Sequence, residues 1–599
     1  VLVVVLVIAV GAVAAFGLRW YCDDTFITLR YVDNYLHGHG LVYNEGERVE
    51  GYTHFLWLLL LIVLARVGFD PLSVTMGLGV LSYVGVLAVF CLISYRLNRG
   101  RLAIFVPLTG LVLAIHRDFL IWATGGLETM FFTFLLSLAF YVYFFSAAPR
   151  RGKLLFTSAL LILATLSRPD GALIYALANV FLVGGCALRG RGVSGAVSDL
   201  VTFNLPLVPL MAPYLVWKYL YYGDLLPNTY YAKSAGSFYF DRGFFYLWLY
   251  FKPYFTSWLA LLGIPAAFSL WAAARKKGKE KGDAGPGGVL DDPSLCGVVF
   301  AITAVALYLA LFVARVGGDF MYARFIVPAL PFLFFVLETS ILIFARGNRF
   351  VPIVAFVLIA LSIGLLENSR RDDLLQKTEH GRPKFISHKG IIDEHYLRTV
   401  VDDIDRDKAF GEFLRPHFEG LDATVLLKGR ACIGHYAGFK TNIEYYGLTD
   451  KHIAHLLVEE RSRPGHEKTA PHEYLLERGV DFGFNGATMF FERAREHEFA
   501  WFNLPDGRRV RVQLFTYDVD LIETLARRMG ESFEYTNFVE FLDAYIARDL
   551  PRKSGVQLLT DYMLFRDYYF EHNKDYRRER AFTDRISGAV GGTSPGSVD

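Results

Sequence analysis

Cysteine is scarce: the 599 residues contain five, Cys22, Cys91, Cys186, Cys296 and Cys432, with no CxxC pair and no metal-finger spacing. That excludes a zinc-ribbon module and a disulfide framework. Three of the five lie in or beside apolar runs, where core packing explains them. Cys22 and Cys432 form the one pairing that an oxidising face would leave open. A charge of one sign is also lacking, since 61 basic residues nearly balance 59 acidic ones for a net charge of +2. Nucleic acid is therefore not an expected partner. Charged residues make up 20%, against about 25% in soluble domains. Instead, 53% of the chain is hydrophobic, with a mean hydropathy of +0.33. Disordered, collagenous and cytosolic classes are excluded, leaving a polytopic membrane protein that interacts with a lipid bilayer.

The apolar runs are confined to residues 1–367. Eleven of them approach the roughly 20 residues a membrane helix needs: 1–18, 73–95, 102–116, 127–147, 154–167, 171–187, 198–221, 252–273, 295–314, 326–345 and 350–367. The stretch Thr53–Ala65 is apolar but short, as interfacial or re-entrant helices are. If it does not cross and the amino terminus is inside, every short basic loop falls on the cytoplasmic side. Those loops hold Arg96, Arg99 and Arg101; Arg150, Arg151 and Lys153; Arg189 and Arg191; Arg275, Lys276, Lys277, Lys279 and Lys281; and Arg346 and Arg349. Loops 19–52, 117–126, 168–170, 222–251 and 315–325 then share the external face with residues 368–580, read as a soluble extracytoplasmic domain. Residues 581–599 read as a disordered tail.

The external loops carry the polar motifs. Asp23 and Asp24 directly follow the first run; adjacent carboxylates at a membrane surface need a cation, hydrogen bonds or a catalytic task. Asp24 capping a helix that starts near Phe26 is the structural alternative. Further candidates in that loop are Glu47, Glu50, Tyr52 and His54. Glu128 in GGLETMFF suits a helix N-terminus. Arg168 and Asp170 in SRPDG either pair with each other or present the arginine to a phosphate. Asn228 and Lys233 lie in LPNTYYAK, and Asp319 and Arg324 in GGDFMYAR, whose glycines would let backbone N–H groups reach an anion. Paired acids, separate cations and Gly-rich loops above an apolar bundle suit a lipid-linked phosphorylated substrate. The bundle takes the prenyl chain, cations neutralise the phosphate, and a carboxylate activates a hydroxyl. A channel would repeat a ring residue, and a transporter would show internal repeats or mid-membrane charges. Neither pattern is present.

The stretch DDTFITLRYVDNYLHGHGLVYNEGERVEGYTHFLW closely resembles the opening of the GT-C membrane glycosyltransferases of the mycobacterial terminal β-(1→2)-arabinofuranosyltransferase family. The resemblance continues through GGLETMFF, SRPDG, LPNTYYAK, GGDFMYARFIVPALP, IGHYAGFKTNIEYYGLTDKHIAH and RPGHEKTAPHEYLLERGVDF. Thr25, Leu29 and His54 depart from the usual pattern. The resemblance implies a GT-C fold and a polyprenyl-phosphate donor, decaprenyl-phosphoryl-arabinofuranose in an actinobacterial setting. The acceptor would be a cell-wall glycan of the arabinogalactan or lipoarabinomannan type on the outer face of the plasma membrane. It also makes an acidic residue of the first loop the expected catalytic group. Asp24 is the choice, with Asp23 sharing a proton or holding a divalent cation (Mg2+, Mn2+ or Ca2+). Arg168, Lys233 and Arg324 are the donor-phosphate ligands. A single base predicts inversion, whereas a β product from a β donor requires retention. Two readings stand beside this one: transfer of another lipid-linked sugar to protein or lipid, and a non-catalytic flippase or binding protein.

Beyond residue 368, β-like runs (ATVLLKG, RVRVQLFTY) alternate with helical ones (HEYLLERG, DLIETLARRMG), predicting an α/β or α+β domain. Its histidines match no zinc spacing. His435, Tyr446 and His452 are the candidates for acceptor recognition.

Overall fold

The computed structural model describes residues 2–98, 107–189, 192–280, 292–345, 348, 350–458, 460–484, 495–553 and 555–591, with the side chains at 274, 276–280, 495–496 and 589–591 excepted. Arg99, Arg101, Arg191, Lys281, Arg346 and Arg349 lie outside the described residues, as do the side chains of Lys276, Lys277 and Lys279. The chain divides into two compact units: Val1–Leu41 with Arg48–Ile404 and Val458–Glu467, and Val42–Glu47 with Asp405–Leu457 and Lys468–Asp599.

The first unit is a helical bundle, as a bilayer demands, because only helices satisfy their own backbone there without closing a barrel. Seven described helical segments are long and apolar enough to cross: Pro71–Asn98, Gly171–Leu188, Val193–Tyr222, Phe255–Ala273, Pro293–Ala314, Val327–Phe344 and Phe350–Leu375. Leu2–Gly17 and Thr129–Phe145 are shorter apolar helices, and Arg150–Ser167 is an 18-residue helix that begins on basic residues. The expected span 102–116 is not one helix where it is described. Leu108–Leu113 is followed by a separate short helix, Arg117–Ile121, and His116 between them is extended. Phe55–Arg66 has 12 residues, or about 18 Å of helix, against a hydrocarbon core of about 30 Å. The core is rich in phenylalanine: Phe140 packs edge-on against Phe332 and Phe335.

Past the bundle, β1 (Gln376–Glu379) and β2 (Arg382–Phe385) form an antiparallel hairpin. In the second unit, β3 (Thr424–Leu427), β4 (Thr441–Glu444), β5 (Phe482–Phe484), β6 (Phe499–Asn503), β7 (Arg509–Leu514) and β8 (Phe533–Tyr535) make a six-stranded sheet. Its order is β4-β3-β5-β7-β6-β8. The first three strands are parallel and the rest antiparallel. The four runs that alternate in sequence thus become β3, the helix His472–Glu477, β7 and the helix Val519–Met529. The helix Tyr576–Gly591 continues through residues read as a disordered tail, and 592–599 lie outside the described residues.

Candidate active site

The two leading motifs meet although 100 residues separate them. The Thr25 hydroxyl donates to the Gly125 carbonyl at 3.2 Å, the Cys22 N–H donates to the same oxygen at 3.0 Å, and Trp20 Nε1 donates to Ile121 O at 2.9 Å. Gly126 has φ +82, and a Cβ there would strike Thr25. This turn needs glycine, and Thr25 is a clamp rather than a neutral departure. The five cysteines are buried free thiols, and Cys22 faces Met321 Sδ at 3.9 Å.

The helix begins at Asp24 itself, and Asp23, in the N-cap position, makes no side-chain capping bond. Capping therefore does not explain the pair. Asp23 is buried with Arg398 at 3.9 Å, and Arg398 also binds Glu394 at 3.0 Å. Asp24 is half-buried and carries no side-chain hydrogen bond among the described residues. Burial pushes its carboxyl above the usual range; Arg324 and Lys233 oppose the shift, and Asp23 and Asp319 add to it. An unbonded carboxylate with raised basicity, under the field of two cations, is equipped to take a proton.

Glu128 is likewise not a helix cap. It lies 3.4 Å from Arg324, 3.8 Å from Arg168 and 3.7 Å from His54. Burial would raise its carboxyl, but Arg324, His54 and Arg168 outweigh it and hold Glu128 below the ordinary range. His54 bonds Thr28 Oγ1 at 2.8 Å, and its burial lowers its pKa despite Glu128. Its place is inside this cluster. Arg324 follows Ala323, whose φ of +64 is a strained conformation for a non-glycine residue. Asp319 steadies Arg324 at 3.4 Å and accepts the Phe320 N–H at 2.7 Å. Arg168 pairs with Asp170 at 3.0 Å between Phe132 and Phe325, each 5.1 Å away. Asp170 also accepts from Tyr308 at 2.9 Å. Despite these contacts, Glu128 Oε2, Arg168 Nη1 and Arg324 Nε are buried without a hydrogen bond. Three such atoms in one cluster leave hydrogen-bonding capacity that buried water or a bound ligand would fill.

Beside this cluster is an apolar cleft walled by Phe140, Phe144, Leu161, Phe300, Phe332 and Tyr308 among others. Tyr308 starts a π-helical turn, Tyr308–Ala314, and joins the cavity wall to the Asp170–Arg168 pair.

Several expected ligands have other tasks. Gly317 and Gly318 do not offer their N–H groups to an anion, because these bond Ala314 O and Val313 O. Their positive φ values bring the chain against Tyr239 and Tyr246, and Arg242 binds the Gly317 carbonyl. Tyr52 is buried, with its hydroxyl 3.0 Å from that of Tyr222. Asn228 donates its N–H to the Glu50 carbonyl at 2.9 Å. Glu47 belongs to the second unit, where it pairs with Arg478 and accepts from Asn44 at 3.1 Å. Also in that unit, Tyr474 covers one face of His452 at 4.1 Å. The His435 ring packs edge-on to Tyr436, and the Tyr446 N–H donates to Glu444 at 3.1 Å.

Glu50 forms an ion pair with Lys218 at 2.7 Å, a partner the sequence did not single out. Burial pushes its carboxyl up to about 7 from 4.5, against the pull of Lys218. A folded-state pKa above the unfolded value contributes stability that is full below pH 4.5 and lost as pH rises through 7. Wild-type protein should therefore lose about 2–3 kcal/mol between pH 5 and 8 that Glu50→Gln does not lose. Parallel thermal melts at the two pH values check this, and equal slopes for the two proteins would contradict it.

Among the described residues no three His, Cys, Asp or Glu side chains group to hold a metal ion, and Asp23 faces Arg398. Divalent cations of the hard type want six or more oxygen ligands. The side chains at Asp23 and Asp24 do not fit such a site by themselves.

Fold and site together define a class: a polytopic membrane protein with a buried cluster of charge beside an apolar cavity. No protein-family model matches the chain. It is 32% identical over 334 residues to the terminal β-(1→2)-arabinofuranosyltransferase of Mycobacterium tuberculosis, covering 52% of this chain and 51% of the relative. It is 30% identical over 375 residues to the enzyme of the same name from Corynebacterium glutamicum, covering 58% and 51%. The aligned part of the chain thus spans about half the length of the curated relatives it matches. ArnT of Cupriavidus metallidurans, solved bound to undecaprenyl phosphate, matches with a TM-score of 0.52 and 13% identity, over 85% of this chain and 97% of that one. At that identity the likeness establishes the fold.

Proposed function

We propose that the protein is a membrane glycosyltransferase that moves arabinofuranose from a polyprenyl-phosphate donor to a cell-wall glycan on the outer face of the plasma membrane. The observation that carries this reading is the set of orphaned buried atoms on Glu128, Arg168 and Arg324, electrostatically coupled to Asp24 through Arg324 and linked to the apolar cavity through Asp170 and Tyr308. The names of the two relatives support the sugar, and the lipid bound to ArnT supports the donor class. In this reading the prenyl chain lies in the apolar cavity, and Arg324 and Lys233 hold the phosphate. Asp24 takes the proton of an acceptor hydroxyl as its oxygen bonds the anomeric carbon. The bond from that carbon to the phosphate oxygen breaks, and polyprenyl phosphate leaves with its new negative charge met by the cations. Arg168 and His54 hold Glu128, and Glu128 orients Arg324.

The test is a transfer assay with purified protein, an arabinan acceptor and prenyl-phosphate arabinose, mannose and glucose in parallel. Arabinose transfer with the other two donors near background is the expected result. Equal use of another sugar would replace the donor assignment. Lipid movement between leaflets with no bond formed would overturn the enzyme reading.

A further inference from the structure

A second cavity, about 530 Å³, opens at the far end of the same helices. Its mouth carries Arg150, Lys153 and Arg189, and its walls are apolar, including Leu154, Leu177 and Phe181. Arg150 begins the helix Arg150–Ser167 and Arg168 follows it. Eighteen helical residues, about 27 Å, therefore separate this mouth from the charge cluster, close to the thickness of the hydrocarbon core. Arg150 is matched by Asp199 at 2.6 Å. Lys153 has no ion-pair partner among the described residues, and Arg150 and Arg96 both act on it as like charges. The mouth thus combines a cationic excess with an adjoining hydrophobic slot, one that shares Tyr143, Phe144 and Phe181 with the first cavity.

We propose that this cavity binds an anionic phospholipid, with its headgroup phosphate on Lys153 and Arg189 and one acyl chain along Leu154, Leu177 and Phe181. Charge complementarity selects the headgroup, since each basic side chain near a bilayer surface attracts anionic lipid. The depth of the apolar wall selects a lipid over a free anion. Gly184 lines the cavity with open space where a Cβ would stand, so a larger residue there fills the slot without displacing neighbours. The assignment does not depend on the transferase reading.

Native mass spectrometry of the full-length protein tests it, using phosphatidylglycerol and phosphatidylcholine of identical chains. Wild type is expected to retain phosphatidylglycerol preferentially. Lys153→Gln/Arg189→Gln should weaken that retention roughly tenfold to thirtyfold. Gly184→Leu, which keeps both cations, should weaken it as well. Arg66→Gln/Arg275→Gln removes the same charge away from the cavity and should leave it unchanged. Equal retention of the two lipids, an equal loss in the Arg66/Arg275 control, or displacement of the lipid by inorganic phosphate would each overturn the proposal.

Discussion

Asp24→Asn is expected to lower kcat by about 10³-fold, in the range general-base groups contribute, while leaving prenyl-phosphate binding intact. The amide keeps the size of the side chain, and Asp24 makes no side-chain hydrogen bond among the described residues that the change would break. Removing a negative charge beside Arg324 and Lys233 should, if anything, tighten the hold on the donor phosphate. The pH profile supplies a second readout. Asp24 must be ionised to accept a proton, so activity rises with pH through its raised pKa. Because Arg324 draws that pKa down, Arg324→Gln should shift the limb to higher pH as well as raise KM for the donor. Asp23→Asn should instead act through Arg398, reducing stability more than kcat. Full turnover in Asp24→Asn, or a limb unmoved in Arg324→Gln, would show that the base lies elsewhere.

Much of this cluster is visible in the sequence because each part is local. DDTF, GGLE, SRPD and GGDF–YAR each pair a titratable residue with a turn or a helix start. What composition and spacing do not carry is which groups have partners. Asp23 meets Arg398 and Glu50 meets Lys218 only after some 375 and 168 residues of intervening chain have folded. Glu394 and Arg398 stand four apart, as a helical ion pair does, yet nothing local points that pair toward Asp23. The error over Gly317 and Gly318 has a similar origin. A glycine pair reads equally as an anion cradle or as a close approach, and here the rings of Tyr239 and Tyr246 decide it. In the second unit the strand and helix signals are strong, since β3 and β7 alternate or run apolar. The stacking on His452 is set by Tyr474, 22 residues away, and is not written in its own segment.

The largest expected effect on stability is at Arg371. Its guanidinium, 1% exposed, bonds Asp118 at 2.9 Å and Asp393 at 2.5 Å, with Asp372 at 2.9 Å. Burial tends to raise both buried carboxyls. Arg371 reverses this for Asp393, which is held at about 2, while Asp118 stays above its usual value. Asp393 therefore contributes stability above the unfolded carboxylate range, near 3.9, and loses it as pH falls through about 2. This network underlies the site: Ile392, next to Asp393, donates to Phe320 O and accepts from Tyr322 N–H, each at 2.9 Å, on both sides of the turn that leads into Arg324. Arg371→Met strands two buried carboxylates and should cost about 3–5 kcal/mol, seen as a lower melting temperature and a reduced yield of folded protein. Arg371→Lys should recover little, because a lysine ammonium cannot make the forked contacts to both partners. The combination Asp118→Asn, Arg371→Met and Asp393→Asn removes all three charges together. It should recover most of the loss, since replacing a whole buried network is far milder than breaking one. If Arg371→Met melts with wild type, or the triple variant is no better than the single, the charge network is not what holds this turn in place.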